Sequence, residues 1–358
     1  MLSPGLFGQD HNNSSRNYSK EESWGKNQFN SSFPASLVAW MSYKGVKPVY
    51  LVIDSNNTLL HKYISGEELY RIDPLSQHAY YNFEAGFSRF ERFYTGQREK
   101  IDLVMMDSET GSNLTGLEIK LTAIPDNTTK NLPEHHYSCE IVVRPPTINF
   151  LACSICSNFS NAEGRYKLKE LLGTVPQINH WEDIESVLPH YKKIKEAVLA
   201  VSSYMHDKQT PLIVQPIWKT KGSKPILADN CLDVFVWSNL AVIQMCINQK
   251  EDSKKITRFM RTIIWLYRML FDYAVYEQFD YRRIVRLHSY NIANDKAFAL
   301  SGSLTYPLMK CAELATPRIS KHDIKYIILG GGQNLLSPER RFDAVLVSNP
   351  ELFENENS

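Results

Sequence analysis

The sequence predicts an α/β (α+β) protein with a central mixed sheet flanked by helices and a more helical C-terminal part. Its first half holds short apolar runs bounded by turn residues, which is the pattern of strands. Its second half holds two long segments with apolar residues at i, i+3 and i+4, which is the pattern of helices packed on a core. A chain of 358 residues, 43% of them hydrophobic, is long enough for one large domain or two ordinary ones.

The first elements follow from local composition. Residues 1–35 predict an irregular arm, because they are rich in Asn and Ser yet carry aromatic residues that need burial. Ser36–Tyr43 predicts a short helix. Val49–Asp54 predicts a strand, Asp54–Asn57 a turn, and a second strand begins at Leu59.

A helix is predicted over Tyr80–Tyr94, because its aromatic residues recur at helical spacing. The members of this stripe are Phe83, Phe87, Phe90 and Tyr94. Glu84 and Glu91 then share one helix face beside the stripe.

The following segments predict strands. Lys100–Asp107 and Gly116–Ile124 flank a polar turn and predict a hairpin. Glu140–Arg144 predicts a third strand, ended by two prolines.

The second half predicts helices over Ile184–His206 and Lys255–Tyr276. Further strands are predicted at Leu212–Trp218, Ile324–Leu329 and Asp343–Val347.

Composition limits the classes of function. The formal net charge is +1, which argues against a loose coat held on nucleic acid by charge alone but leaves room for a DNA enzyme with local positive charge. No stretch reaches the roughly 18 consecutive apolar residues that a membrane-spanning helix needs. The N-terminus has no basic-then-apolar signal pattern, so a cytoplasmic protein without a membrane partner is expected.

The cysteines leave two interpretations open. His136 and Cys139, followed by Cys153 and Cys156, have spacing that a zinc ribbon could use. Cysteines in an apolar region are more often plain core residues, and the sequence alone does not decide whether Cys139, Cys153 and Cys156 bind zinc.

The segment GLEIKLTAIPD at 116–126 carries two opposite charges in a predicted strand. Side chains alternate along a strand, so Glu118 and Lys120 point to one face while Leu117 and Ile119 point to the core. Asp102 begins the preceding strand and can meet Glu118 at one end of the sheet.

Two neighbouring carboxylates repel each other, and a divalent cation relieves the repulsion. Mg²⁺ prefers oxygen ligands, which Asp102, Glu118 and the Ile119 carbonyl can supply. Lys120 beside them can orient water or stabilise charge on a phosphate. An Asp followed by Glu-x-Lys is the pattern of PD-(D/E)xK nucleases, and Asp107, which strand alternation turns to the opposite face, is the weaker candidate for the first carboxylate.

Longer motifs extend this pattern. They are PGLFG at 4–8, ESWGKNQFNSSFPASL at 22–37, GLEIKLTAIPDNTT at 116–129, EIVVRP at 140–145 and LDVFVWSNLA at 232–241. With these motifs the chain resembles the HindVP family of type II restriction endonucleases over nearly its whole length. The resemblance implies a PD-(D/E)xK core and a Mg²⁺-dependent enzyme that cuts double-stranded DNA at a GC-rich palindrome of the GRCGYC type. It also implies a paired DNA methyltransferase that protects the host.

The resemblance matches Asp102, Glu118 and Lys120 to the catalytic triplet, and Ile101 stands where a proline usually precedes the Asp. Glu84 and Glu91 are possible accessory metal ligands.

The expected division is an arm at 1–35, a catalytic core at 36–160, and elements at 161–358 that complete the core, recognise DNA and dimerise. A palindromic target predicts a two-fold homodimer. Candidate DNA contacts are side chains able to reach bases or phosphates. They are Lys26, Asn27, Gln28, Asn30, Arg144, Arg282 and Arg283.

Two alternatives remain open from the sequence. One is a structure- or lesion-specific nuclease with the same core, and the other is a non-catalytic DNA-binding protein with this fold. Digestion of plasmid DNA separates them, since discrete bands, random nicks and no cleavage are different outcomes.

Overall fold

A computed structural model describes residues 37–38, 40–120, 137–138, 141–220, 227–292, 296–300, 305 and 311–328. Several predictions concern residues outside these ranges. They are the predictions for Lys26, Asn27, Gln28, Asn30, His136, Cys139 and Asp343–Val347.

The described residues form eleven strands and twelve α-helices. The strands are β1 Val49–Ile53, β2 Leu59–Tyr63, β3 Ala79–Gly86, β4 Lys100–Asp107, β5 Ser112–Ile119, β6 Tyr137–Ser138, β7 Ile141–Val143, β8 Pro211–Thr220, β9 Leu227–Ser238, β10 Phe298–Leu300 and β11 Ile319–Ser320. The helices are α1 at 37–38 and 40–44, α2 Gly66–Tyr70, α3 Ser88–Glu91, α4 Pro145–Cys156, α5 Ala162–Leu172, α6 Ile184–Val187, α7 Tyr191–Tyr204, α8 Asn239–Ile247, α9 Arg258–Tyr276, α10 Tyr281–Leu287, α11 Ala312–Ala315 and α12 Lys321–Ile328.

Nine of these strands make one mixed sheet. Its main order is β2-β1-β9-β8-β5-β4-β3, with β11 paired to β9 and β6 paired to β8. The β1–β9 and β5–β8 pairs are parallel, and the other pairs are antiparallel. A separate antiparallel pair joins β7 to β10.

Helices cover both faces of the sheet. On one face α4, α5, α7, α8 and α9 build the larger apolar core around residues such as Phe150, Val198 and Ile264. On the other face α1, α2 and α12 build a second core with Leu117 and Ile119 of β5. The predicted α/β architecture, a mixed sheet flanked by helices, is therefore confirmed.

The predicted helix over Tyr80–Tyr94 is wrong. Ala79–Gly86 is a strand paired with β4, and only Ser88–Glu91 is helical. The run AYYNF is rich in aromatic strand formers, and backbone pairing with β4 decides its conformation. Two residues of the aromatic stripe still contact each other at the short helix α3. Phe87 and Phe90 pack edge to face with ring centroids 4.7 Å apart.

The predicted strand at Ile324–Leu329 is also wrong, because Lys321–Ile328 is helix α12. The Asp323 amide donates to Ser320 Oγ at 3.1 Å, which caps the start of the helix. Ile324 and Ile327 are both fully buried at helical spacing. A short apolar run can form a strand or a helix, and here the Ser320 cap favours the helix.

Further boundaries differ from the prediction, since β5 begins at Ser112 and not at Gly116, and α9 begins at Arg258 and not at Lys255. The segment from Ile184 is α6, a 3-10 turn at Leu188–His190 that contains Pro189, and then α7. Pro145 ends the strand as predicted and also opens helix α4, where a missing backbone N–H costs nothing.

Cys153 and Cys156 lie on α4 and are fully buried in the larger core. Burial raises the pKa of both thiols. Their position agrees with the interpretation as core residues. In the described part of the chain, none of the helices combines the length and hydropathy needed to span a membrane.

Candidate active site

Strand β5 brings two opposite charges to the middle of the sheet. Leu117 and Ile119 are buried on the α1 and α12 side, so Glu118 points to the other face. Glu118 pairs with Ile213 of β8, and the backbone amide of Lys120 donates to Val214 O at 2.9 Å. The neighbouring strand therefore fixes the position of both charged residues.

Strand β4 brings Asp102 to the same place. Leu103 pairs with Leu117, and one step further along the pair Asp102 faces Glu118. The Ile119 amide donates to Asp102 Oδ2 at 2.8 Å. The carboxyl groups of Asp102 and Glu118 share the Lys120 ammonium group as a neighbour. The structure thus brings together the two carboxylates that the sequence predicts as metal ligands.

The ammonium group of Lys120 contacts both carboxylates. Lys120 Nζ donates to Glu118 Oε2 at 2.5 Å and lies 3.9 Å from Asp102 Oδ2. The Glu118 side chain is 6% exposed and the Asp102 side chain 42% exposed, so the cluster opens to solvent on the Asp102 side.

The surroundings shift the pKa values of Asp102 and Lys120. Although the Asp102 side chain is exposed on one side, the protein atoms packed around its carboxyl group exclude enough water to raise its pKa to about 7, and the negative charge of Glu118 acts in the same direction. Burial lowers the pKa of Lys120, but the charges of Glu118 and Asp102 outweigh it, so the net pKa lies above its ordinary value. With Lys120 already beside it, Asp102 needs further positive charge to be fully ionised at neutral pH.

Two residues at the start of α4 complete the cluster. Thr147 Oγ1 donates to Glu118 Oε2 at 3.1 Å and is buried. Arg144, directly before α4, is exposed, and it lies close enough for its positive charge to lower the pKa of Lys120. Sequence reasoning identified Arg144 as a DNA contact but missed Thr147, which is far from Glu118 along the chain.

The other predicted carboxylates lie on β3, on α3 and at the end of β4, and Glu84 stands opposite Asp102 between the Phe83–Leu103 and Ala85–Ile101 pairs. Glu84 is exposed on β3 with φ 46°, and Glu91 on α3 pairs with Arg98 at 3.2 Å. They do not share a helix face as predicted, because only Glu91 is helical. Asp107, at the far end of β4, accepts from the Glu109 amide at 2.9 Å.

Asp107 also belongs to a surface group with His78 and Glu109, whose possible ligand atoms lie within 4.8 Å of one another. The group is separated from Asp102 by the length of β4.

The two predicted arginines on α10 lie apart from the cluster. Arg282 pairs with Glu99 and donates to Gln97 Oε1 at 2.9 Å. Arg283 lies near Asp272, whose pKa its positive charge lowers, although burial raises that pKa overall. Neither arginine contacts the carboxylates of β4 and β5.

The cluster has the composition of a site for a hard divalent cation. Two carboxylates converge, oxygen atoms are the available ligands, and the Lys120 ammonium group lies against both carboxylates. A carboxyl group whose pKa is raised by burial and by a neighbouring carboxylate is the electrostatic sign of such a site.

Comparison with known proteins identifies relatives over the whole chain. Residues 24–353 match the family model described as HindVP restriction endonuclease. The chain is 42% identical over 354 residues to the type II restriction enzyme HgiDI of Herpetosiphon aurantiacus, covering 98% of this chain and 97% of that protein. It is 39% identical over 357 residues to the probable type II restriction enzyme HindVP of Haemophilus influenzae, covering 98% and 96%. No solved structure matches the chain.

Proposed function

Since the chain belongs to the HindVP restriction endonuclease family and is a type II site-specific deoxyribonuclease, we propose that it cuts double-stranded DNA at a short GC-rich palindrome of the GRCGYC type with Mg²⁺ as cofactor. The observation that carries the assignment of the site is the convergence of Asp102, Glu118 and Lys120. On this proposal the fold is a PD-(D/E)xK nuclease core.

Asp102, Glu118 and the Ile119 carbonyl are the proposed metal ligands. Their oxygen atoms suit Mg²⁺, and the raised pKa of Asp102 supports a need for positive charge at this place. When bound, Mg²⁺ would supply charge that neutralises the scissile phosphate and makes water more acidic.

Lys120 is the proposed catalytic cation of the chain itself. Beside a bound cation its ammonium group would face the phosphate, orient the attacking water and stabilise the additional negative charge. Hydrolysis adds the water oxygen to phosphorus and breaks one bridging P–O bond, so the products are a phosphate end and a hydroxyl end.

Arg144 is the proposed phosphate contact nearest the cut. Its exposed position beside Lys120 supports this role. Lys26, Asn27 and Asn30 of the arm and Arg282 and Arg283 of α10 remain predicted DNA contacts.

The proposed partners follow from the substrate. A palindrome is read by a two-fold homodimer, with one active site for each strand. A cognate methyltransferase protects the host DNA, and both enzymes act where that DNA is, in the cytoplasm.

Digestion of unmethylated phage DNA by the purified protein, with and without Mg²⁺, tests the proposal. The expected result is discrete Mg²⁺-dependent fragments whose ends map to one GC-rich palindrome. The matched control is the same DNA methylated at those sites, which should stay intact. Random nicking would contradict site-specific cleavage, and binding without any cleavage would contradict the catalytic role.

A further inference from the structure

Glu118 has a hydrogen-bond partner on a different element from Lys120. Thr147 Oγ1 donates to Glu118 Oε2 at 3.1 Å, and Thr147 and Glu118 are 1% and 5% exposed. We propose that Thr147 is a positioning residue, whose hydroxyl fixes the Glu118 carboxylate in the orientation that binds the divalent cation. The inference rests on the proposed function and extends it to a residue outside the Asp/Glu-x-Lys pattern.

The two donors to Glu118 differ in charge, and a bound cation would therefore affect their hydrogen bonds to Glu118 differently. Lys120 and Thr147 donate to the same carboxylate oxygen. A cation held by Asp102 and Glu118 would repel the ammonium group of Lys120 and weaken its hydrogen bond to Glu118. Thr147 is neutral, so a bound cation would not repel its side chain. Its hydroxyl is therefore the contact that holds Glu118 in both the empty and the filled site.

The start of α4 makes Thr147 a rigid donor. Two prolines begin the helix, and the Thr147 amide donates to Arg144 O at 3.0 Å. A β-branched side chain has few χ1 rotamers, so the direction of its hydroxyl is restricted. The helix N-terminus also presents partial positive charge to the carboxylate.

The hydrogen bond from Thr147 affects cation binding because Glu118 is a proposed metal ligand. A buried carboxylate that loses a hydrogen-bond partner can turn toward another donor, and this reorientation would weaken its hold on a cation.

The test compares Thr147→Val, which removes the hydroxyl and keeps the branched shape, with Thr147→Ser, which keeps the hydroxyl. Calorimetric titration of the DNA-free protein with Mg²⁺ should show about tenfold weaker binding for Thr147→Val, the low end of the usual effect of residues that orient metal ligands. The Mg²⁺ concentration for half-maximal cleavage should rise by the same factor. Thr147→Ser should stay near wild type in both measurements.

Thr262→Val is the matched control. Thr262 is also 1% exposed. Its hydroxyl donates to Arg258 O on α9 and to Ala297 O directly before β10. This variant should melt at a lower temperature than wild type while its Mg²⁺ affinity stays unchanged. If Thr147→Val does not fold, Thr147→Ala takes its place with the same expectation.

The outcomes separate the inference from the proposed function. A wild-type protein that binds Mg²⁺ and cuts DNA, together with Thr147→Val of equal Mg²⁺ affinity, would overturn the positioning role alone. A loss of affinity in Thr147→Ser as large as in Thr147→Val would overturn it too, since packing and not the hydroxyl would then be responsible. A wild-type protein that neither binds Mg²⁺ nor cuts DNA would overturn the proposed function and this inference together.

Discussion

Lys120 supplies the positive charge that Asp102 and Glu118 need when no metal ion is bound. Its ammonium group contacts Glu118 and lies 3.9 Å from Asp102 Oδ2. Two carboxylates so close could not both ionise without a cation between or beside them. One side chain therefore stabilises the empty site and, in the proposed reaction, the transition state.

Replacement of Lys120 by Ala should abolish cleavage but leave specific DNA binding. The ammonium is proposed to act on the phosphate during the reaction, so we expect a loss of at least about 10²-fold in the cleavage rate. Single-turnover cleavage of a cognate duplex measures the rate, and gel retardation in Ca²⁺ measures binding.

Lys169→Ala is the control for this variant, because Lys169 is exposed on α5. It should cut like wild type. Substantial cleavage by Lys120→Ala would remove Lys120 from the mechanism.

A buried histidine outside the site should make stability depend on pH. Burial and the charge of Arg268 lower the pKa of His288 to about 4, from an ordinary 6.5. The unfolded chain then binds a proton that the folded chain does not, so stability is full above pH 6.5 and is lost as the pH falls toward 4. The size of this effect is on the order of 3 kcal/mol.

Urea unfolding between pH 7.5 and 4.5 measures this dependence. His288→Gln should be less stable than wild type at pH 7.5 but should lose less stability on acidification, whereas His206→Gln, changed at an exposed site, should follow wild type. Equal pH slopes for wild type and His288→Gln would contradict the assignment.

At the residue scale, the sequence predicted the contacts that depend on local strand geometry. Asp102, Glu118 and Lys120 lie on adjacent strands of a hairpin, so alternation and pairing bring them together. Thr147 contacts Glu118 through the path of the chain from β5 to α4, which no local pattern encodes.

At the scale of elements, helix α9 supports the region next to the site through one buried arginine. Arg261 is 1% exposed and donates to Ile292 O at 3.0 Å and Lys296 O at 2.8 Å. The chain continues from there into β10, which pairs with β7 directly before Arg144. Arg261 therefore anchors the strand pair that leads to α4.

Replacement of Arg261 by Met should destabilise the protein by roughly 2–4 kcal/mol, because buried carbonyl groups lose charged donors. Burial lowers the pKa of Arg261 to about 10, so the residue is still charged at neutral pH. Chemical denaturation measures the difference. Arg286→Met, changed at an exposed position of α10, should cost little, and equal costs for the two variants would argue against the anchoring role.

The predicted elements that failed share one physical cause. Aromatic and aliphatic residues at Tyr80–Tyr94 and Ile324–Leu329 fit both helix and strand, and the decision comes from partners distant in sequence or from a cap. The predictions for β1, β4 and β8 were correct because apolar runs flanked by turn residues leave little choice.

At the scale of the whole molecule, DNA binding depends on local charge, since the net charge is only +1. Arg144 lies beside the cluster of β4 and β5, whereas Arg282 is engaged by Glu99 and Gln97. A phosphate contact releases a counterion, so each one adds to the salt dependence of binding.

Arg144→Gln should weaken binding to every DNA sequence and reduce the salt slope by about 1 for each active site engaged. Fluorescence anisotropy with cognate and unrelated duplexes at several salt concentrations measures both quantities. Arg282→Gln is the comparison, and its salt slope should change less, because Arg282 lies on α10 beside Glu99 and not beside the cluster of β4 and β5. The opposite order of effects would place the DNA over α10.

The parallel pairing of β5 with β8 has a consequence for protein synthesis. A nascent chain that has emerged only as far as residue 160 already contains Asp102, Glu118, Lys120 and Thr147, but not the strand that accepts the Lys120 amide. The sheet stays open at the edge that bears these residues until β8 has been translated. The proposed cutting site therefore reaches its complete sheet only after β8 has been synthesised.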